Sequence, residues 1–200
     1  MIRRPPRSTP GRSSAASDVY KRQPVDSLIN LAIADRNIVI GGTSAGMAIL
    51  GGFYFTAKNG TVTSSAALSN PYTSRVTVDS ASFIHAPFLE DVITDTHYDN
   101  PDRKGRHVTF LARILKDYGI KAKGIACDEY TAVCIGPDGI AIVYGDYPSN
   151  DDNAYFILLS FTKGGTMVSI YSLVSPTSSN SLTSAGYFAL AWCASARNEG

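Results

Sequence analysis

The sequence predicts an α/β fold: a parallel sheet with helices and an antiparallel hairpin addition. Short apolar segments of strand length alternate with segments of helical periodicity, which is the pattern of an α/β sheet. Gly136-Pro137-Asp138-Gly139 separates two further apolar runs and predicts a hairpin. The chain has 200 residues, 44% apolar and 18% charged, enough for one domain with a core.

Helical periodicity is found in three places. Residues 24–36 predict an amphipathic helix capped by Asp26 or Ser27, and residues 45–50 predict a short one. Residues 103–118 predict a longer helix that Asp102 caps and Gly119 ends. The expected core-facing side chains are Leu28, Leu31 and Ala32 in the first helix and Val108, Leu111, Leu115 and Tyr118 in the last.

Brief apolar runs predict the strands. Residues 37–41 end in glycine and suit a strand buried on both faces of a parallel sheet. Residues 90–95 and 123–127 predict two more strands, and residues 131–135 and 140–144 the two arms of the hairpin. The Ser/Thr/Asn-rich residues 61–78 predict a loop with short extended pieces. Beyond residue 148 two apolar runs predict further strands, with a polar stretch at 175–184.

Residues 1–23 differ in composition from the rest of the chain. They hold six Lys/Arg, one Asp and three prolines, without the apolar core of a secretory signal. A basic arm for nucleic acid is one interpretation. The string resembles translated sequencing-adapter DNA more closely, so we expect a non-native or disordered segment. Residues 24–200 then form a single α/β domain whose part beyond residue 148 is β-rich.

Charge and cysteine content exclude several function classes. Residues 24–200 carry twelve Lys/Arg and sixteen Asp/Glu, so charge gives no reason to expect a nucleic-acid partner. No apolar run is long enough to cross a bilayer, so we expect no membrane span. The three cysteines are Cys127, Cys134 and Cys193, and they lack the spacing of metal ligands. We therefore expect buried thiols, no metal and no cofactor.

The strongest local signal is Gly41-Gly42-Thr43-Ser44-Ala45-Gly46, between a predicted strand and a predicted helix. Glycines on both sides of Ser44 permit the tight turn that exposes a nucleophilic hydroxyl. The amide of Ala45, at the start of the helix, is a candidate oxyanion donor. A Gly-rich turn that cradles a phosphate is the competing interpretation.

A nucleophilic serine needs a base, and the base needs an orienting acid. His97 and Glu129 each follow a predicted strand, as Ser44 does, and the carboxyl ends of parallel strands face one crevice. Asp128 is the rival acid. His85 and His107 do not directly follow a predicted strand.

Two arginines lie in the first turn of the helix that follows His97. Arg103 and Arg106 oppose the helix dipole there, which hints at a function. They could hold a substrate carboxylate through bidentate hydrogen bonds. A solvated helix start paired with Asp99 or Asp102 is the alternative.

Four blocks of sequence together resemble the cyanophycinase and peptidase E family of serine peptidases. They are QPVD at 23–26, NIVIGGTSAGMAILGG at 37–52, DVITDTHYDNPDRKGR at 91–106 and GIACDEYTAV at 124–133, so the resemblance covers residues 24–148. It implies a flavodoxin-like sheet akin to class I glutamine amidotransferases, lacking its N-terminal strands. It also implies a Ser44-His97-Glu129 triad.

The resemblance further implies cleavage of β-aspartyl (β-Asp-Arg) or aspartyl peptide bonds by an exopeptidase. The implied substrate contacts are Asp95, Thr96, Arg103 and Arg106. Three features depart from the family pattern: Thr96 where Gln is usual, Pro101 near the place of an arginine, and the missing N-terminal portion with its Gly-Gly-Asp/Asn-Gln motif.

Several alternatives remain open at the level of sequence. An α/β-hydrolase esterase would have its acid before its histidine, and the order here is Ser, His, acid. A catalytically incomplete member could act as a peptide-binding or structural domain. A peptide substrate is the expected partner, a homodimer is left open, and the location could be cytoplasmic or exported.

Overall fold

The computed structural model describes residues 14–36, 38–80, 83–99, 101–145, 152–161, 167–174 and 189–192. The helices are α1 (Ser14–Arg36), α2 (Ala45–Ala48), α3 (Ser64–Ser69) and α4 (Lys104–Tyr118). The strands are β1 (Ile40–Thr43), β2 (Phe53–Phe55), β3 (Val78–Ser80), β4 (Val92–Thr96), β5 (Lys123–Cys127), β6 (Thr131–Ile135), β7 (Ala141–Gly145), β8 (Ala154–Phe161), β9 (Met167–Val174) and β10 (Ala189–Trp192).

The described strands form two sheets, and the larger is mixed with a parallel centre. Its order is β3-β2-β4-β5-β8-β9, in which β2, β4 and β5 run parallel while β3 and β8 pair antiparallel with their neighbours. The smaller sheet has the order β1-β10-β6-β7. The α/β class is therefore confirmed, and the arrangement is compatible with a flavodoxin-like fold.

The core has two parts, one on each face of the larger sheet. On one face α4 places Phe110, Leu111 and Ile114 in a buried cluster that includes Ile93 of β4. On the other face the larger sheet meets α1 and the smaller sheet, and the shared cluster includes Ile33, Leu89, Ile125, Val133 and Val143. Because β4 lies between these clusters, all five of its residues are buried.

Several sequence predictions match the structure closely. The strand predicted at residues 123–127 is β5, and the strand predicted at 90–95 is β4, displaced toward Thr96. β6 and β7 pair antiparallel around the Gly-Pro-Asp-Gly turn as expected. The longer helix ends at Gly119, whose φ of 72° is the left-handed conformation that glycine tolerates.

The first helix differs from its prediction in start and in buried face. It begins at Ser14, so residues 14–23 have a helical backbone where disorder was expected, and residues 1–13 lie outside the described part. That residues 1–23 are foreign to the native chain stays a prediction. The side chains expected in the core are wrong in part: Leu28 and Leu31 are 64% and 48% exposed, while Ile33 is buried.

The buried face of α4 is also rotated from its prediction. Leu111 is buried as expected, but Val108 and Leu115 are only partly buried and Tyr118 is exposed. The remaining buried positions are Arg106, His107, Thr109, Phe110 and Ile114. Arg106 and His107 can occupy this face because their partners, Asp95 and the Ile93 carbonyl, belong to β4. A hydrophobic pattern in the sequence does not reveal such polar partners.

The strand before Ser44 is not the doubly buried parallel strand that the sequence predicted. β1 begins at Ile40, alternates between half-buried and exposed residues, and pairs antiparallel with β10 at the edge of the smaller sheet. Residues 61–78 contain α3 as well as loop, because Thr63 caps a helix by accepting from the amide of Ala66. The polar stretch at 175–184 lies outside the described residues.

A search of the described residues finds no helix with the length and apolar character needed to cross a membrane.

Candidate active site

Ser44 occupies a strained turn between β1 and α2. Its φ of 51° and ψ of −120° are sparsely populated for a residue with a side chain, at a cost of about 1–3 kcal/mol. Gly42 permits the turn, because a Cβ there would collide with the Gly46 carbonyl and lie 2.8 Å from the Met47 nitrogen. Ser44 precedes α2 but makes no side-chain capping bond, so its hydroxyl is available for another contact.

That contact is with His97, which in turn contacts Glu129. The Ser44 Oγ lies 3.4 Å from His97 Nε2, and His97 Nδ1 lies 2.5 Å from Glu129 Oε1. His97 also has a positive φ, 51°, directly after β4. The structure thus brings the three residues singled out in the sequence into one chain of contacts, with the imidazole between hydroxyl and carboxylate.

Ala45 is the first residue of α2, so its amide lies in the helix turn whose N–H groups lack partners within the helix. It stays the candidate oxyanion donor beside Ser44.

The rival acid Asp128 is turned to another partner. Its Oδ2 accepts hydrogen bonds from the Tyr155 hydroxyl and the Asn153 amide, both at 3.0 Å. Burial raises the pKa of Asp128 above its ordinary value. Asp128 directly follows β5, whereas Glu129 lies in the turn between β5 and β6. Asp128 therefore ties β5 to β8 while Glu129 contacts the imidazole.

The other two histidines lie elsewhere. His85 is exposed, and its amide donates to the side chain of Asn30 in α1. His107 is fully buried, with Nε2 3.2 Å from the Ile93 carbonyl. In the described part of the chain, His97 is the histidine that contacts Ser44.

The Arg106 side chain is buried and pairs with another residue of the chain. It is 4% exposed, and its Nε and a terminal nitrogen donate to the two oxygens of Asp95 at 2.8 and 2.5 Å. Its guanidinium also lies 5.3 Å from the centre of the Phe55 ring. Asp95 and Arg106 therefore neutralise each other's buried charge, and the expectation that they contact substrate stays a prediction.

Arg103 is placed differently from Arg106. One terminal nitrogen donates to the Thr96 carbonyl at 2.9 Å, while its buried Nε has no hydrogen-bond partner among the described residues. Burial, and then the neighbouring Arg106, lower the pKa of Arg103. An arginine remains charged through such a shift. Arg103 therefore keeps an unused donor near the triad, whereas the side chain of Thr96 is buried.

Two polar residues that contact Arg106 were not predicted from the sequence. Thr61 and Ser64 contact Arg106, through its guanidinium at 3.3 Å and its amide at 3.2 Å. Both lie in the segment expected to be a loop. The capping residue Thr63 ahead of Ser-Ser-Ala-Ala was the available signal for a helix there.

One acidic cluster could offer oxygen ligands to a cation. Ligand atoms of Asp99, Asp128 and Asp152 all lie within 4.8 Å of one another. Lys104 is close by, with its Nζ 5.3 Å from the centre of the Tyr155 ring. Carboxylate oxygens are what Ca²⁺ and Mg²⁺ prefer, but an acidic cluster alone does not define a metal site.

One cavity of the described residues lies away from the triad. It has a volume of about 570 Å³ and is lined by Asp91, Val92 and Lys123, at the opposite ends of β4 and β5 from His97 and Glu129. The Ser44-His97-Glu129 arrangement therefore opens to the surface and not into this cavity.

No family model matches the chain, and comparisons with curated proteins and with solved structures likewise give no match.

Proposed function

We propose that the protein is a serine hydrolase of the peptidase type, with Ser44 as nucleophile, His97 as general base and Glu129 as orienting acid. The observation that carries the proposal is the chain of contacts from Ser44 Oγ through the His97 ring to Glu129. The strained backbone of Ser44 supports the proposal, because strained residues persist only where the surrounding structure holds them, and they cluster at active sites.

The contacts define a sequence of proton transfers. His97 Nε2 accepts the Ser44 proton as Oγ attacks the carbonyl carbon, and the Ala45 amide donates to the oxyanion. His97 then gives the proton to the leaving amine as the C–N bond breaks. His97 next deprotonates a water molecule, whose oxygen attacks the carbonyl carbon of the resulting ester. As the bond between that carbon and Ser44 Oγ breaks, His97 gives the proton to Oγ. Glu129 keeps the imidazole proton on Nδ1, so that Nε2 can accept.

The proposed substrate carries a free carboxylate near the scissile bond, most simply a β-aspartyl or aspartyl peptide. Two points favour this class: the sequence resemblance to cyanophycinases and peptidase E, and the unused buried Nε of Arg103. A buried donor without a partner is costly, and an anion would satisfy it. Arg106 is left out of the substrate contacts because Asp95 occupies its guanidinium.

The nucleophile is tested by labelling with a fluorophosphonate probe. The wild-type chain should be labelled, and Ser44→Ala should abolish the label because the attacking oxygen is removed. Ser69→Ala, at an exposed serine of α3, is the matched control and should label like wild type. Labelling that survives Ser44→Ala would refute the assignment.

The substrate class is tested by comparing β-Asp-Arg dipeptide with a neutral aryl ester. Arg103→Gln should lower kcat/KM for the dipeptide about tenfold more than for the ester, the value of a charge-assisted hydrogen bond, because any disturbance of the His97 backbone slows both substrates alike. Equal losses on both substrates would show that Arg103 does not bind the carboxylate. Turnover of the ester alone would replace the peptidase by an esterase.

A further inference from the structure

The backbone that presents His97 is strained and lies at the end of a fully buried strand. All five residues of β4 are buried, and His97 follows with a φ of 51°. Such a conformation costs a histidine free energy, so neighbouring interactions must hold it in place. The contacts of the two residues before His97 show which groups do so.

Asp95 holds the first of the two peptide units before His97. Its Oδ1 accepts the Thr96 amide at 2.9 Å, so the carboxylate folds back onto its own backbone. The same carboxylate receives two donors from Arg106, which fixes its orientation. Both side chains are about 95% buried, and a bidentate pair shielded from water is rigid.

Arg103 holds the second peptide unit. It donates to the Thr96 carbonyl at 2.9 Å, and the same nitrogen lies 3.8 Å from Asp95 Oδ1. Its own amide donates to the Tyr98 carbonyl at 2.9 Å, on the far side of His97. The chain on both sides of His97 is therefore tied to the start of α4.

The ion pair is anchored in turn by the packing around Arg106. The Phe55 and Phe110 rings lie 5.3 and 5.9 Å from the guanidinium carbon, and Thr61 accepts from its terminal nitrogen. These contacts link β2, α4 and the segment before α3. Asp95 cannot shift without leaving a buried guanidinium uncompensated, which is strongly unfavourable.

We propose that Asp95 is a positioning residue for His97. Through its ion pair with Arg106 it fixes the Thr96 peptide, and thereby the strained backbone from which the imidazole reaches Ser44 and Glu129. The proposal rests on the proposed hydrolase function for its catalytic consequence. Among the described residues the side chain of Asp95 pairs with the Thr96 amide, Arg106 and Arg103, so it acts on the triad through His97.

The test combines the tautomer of His97 with the reactivity of Ser44. Nitrogen NMR of histidine-labelled full chain distinguishes a proton on Nδ1 from one on Nε2, and His97→Gln assigns the signal among the three histidines. In wild type we expect the proton on Nδ1, held by Glu129. Asp95→Asn should give mixed tautomers and slow fluorophosphonate labelling of Ser44 about tenfold to a hundredfold.

Two further variants separate positioning from general stability. Asp117→Asn removes a carboxylate that pairs with Arg113 at 2.6 Å on the same helix α4, so it is the matched control and should keep the wild-type tautomer and labelling rate. Arg106→Lys keeps the charge balance but loses the bidentate geometry. It should show a smaller change of the same kind, and it decides the question if Asp95→Asn does not fold.

The outcomes are distinguishable. A folded Asp95→Asn or, failing that, a folded Arg106→Lys with a single Nδ1 tautomer and wild-type labelling would overturn the positioning role. An unreactive Ser44 in wild type, with a single tautomer that Asp95→Asn abolishes, would refute the hydrolase proposal and support the positioning of His97. Changes of similar size in Asp117→Asn would also overturn it.

Discussion

His97 and Glu129 are supported by the interior of the larger sheet, whereas Ser44 is supported by an edge. β4 and β5 lie in the middle of that sheet, and α4 covers them with Phe110 and Leu111. Ser44 follows β1, the outer strand of the smaller sheet. Nearby α1 leaves Leu28 and Leu31 exposed.

One short helix connects the two regions. Met47 of α2 is fully buried, and its carbonyl accepts a hydrogen bond from Thr94 Oγ1 of β4 at 2.9 Å. The serine is thus joined to the histidine strand by α2 and by a glycine-dependent turn, and not by sheet pairing. Packing in the core therefore places the base and the acid, while local backbone geometry places the nucleophile.

The largest expected effect is the loss of stability on Phe110→Ala. Phe110 is 0% exposed, stacks on Phe55 with ring centres 4.8 Å apart, and lies beside the Arg106 guanidinium. Removing the ring should lower the free energy of unfolding by about 3–5 kcal/mol, measured by urea denaturation.

Leu28→Ala is the control from the edge region. Because Leu28 is mostly exposed, its truncation should change the free energy of unfolding by less than about 0.5 kcal/mol. A loss as large as that of Phe110→Ala would show that this face of α1 is covered in solution and that the contrast between the regions is wrong.

A medium effect is expected from Gly42→Ala, which acts on the turn that carries Ser44. The added methyl group meets the backbone of Gly46 and Met47, so the turn must open. We expect a loss of about 1–3 kcal/mol in the free energy of unfolding and slower probe labelling of Ser44.

Gly46→Ala is the matched control within the same motif. A Cβ at Gly46 has no neighbouring atom within 4 Å, so stability and labelling should both stay near wild type. Equal sensitivity at the two glycines would argue against a serine placed by this turn.

The smallest expected effect is an acid-dependent loss of stability from His107. Burial, the largest influence, lowers the pKa of His107 from its ordinary value of 6.5; Arg106 acts in the same direction and Asp95 in the opposite one. Below pH 6.5 the unfolded chain binds a proton that the folded chain does not. The free energy of unfolding therefore decreases as the pH is lowered, by up to about 1.4 kcal/mol per pH unit.

The measurement is the free energy of unfolding between pH 7.5 and 5.5, a range of about one unit on each side of the ordinary histidine pKa. His107→Gln should make this dependence shallower, because the titrating group is gone, whereas His85→Gln at an exposed site should leave it unchanged. An unchanged slope in His107→Gln would contradict the assignment to this histidine.

Features that depend only on neighbouring residues could be predicted from the sequence. The apolar run of β5, the turn between β6 and β7 and the glycine that ends α4 are encoded locally, and each was predicted near its observed place. The positions of Ser44, His97 and Glu129, each after a strand, could also be predicted, because the ends of the strands indicate which residues lie at the same edge of a sheet.

The partner of each polar side chain depends on tertiary packing and could not be predicted from the sequence. Adjacent acids look equivalent in sequence, and the pairing of β5 with β8 is what turns Asp128 to Tyr155 and leaves Glu129 for His97. In the sequence Arg106 is recognisable only as a cation at the start of a helix, whereas in the structure Asp95 of β4 lies beside it. Periodicity reports which residues are apolar, whereas an ion pair between residues eleven apart depends on how a strand and a helix pack in space.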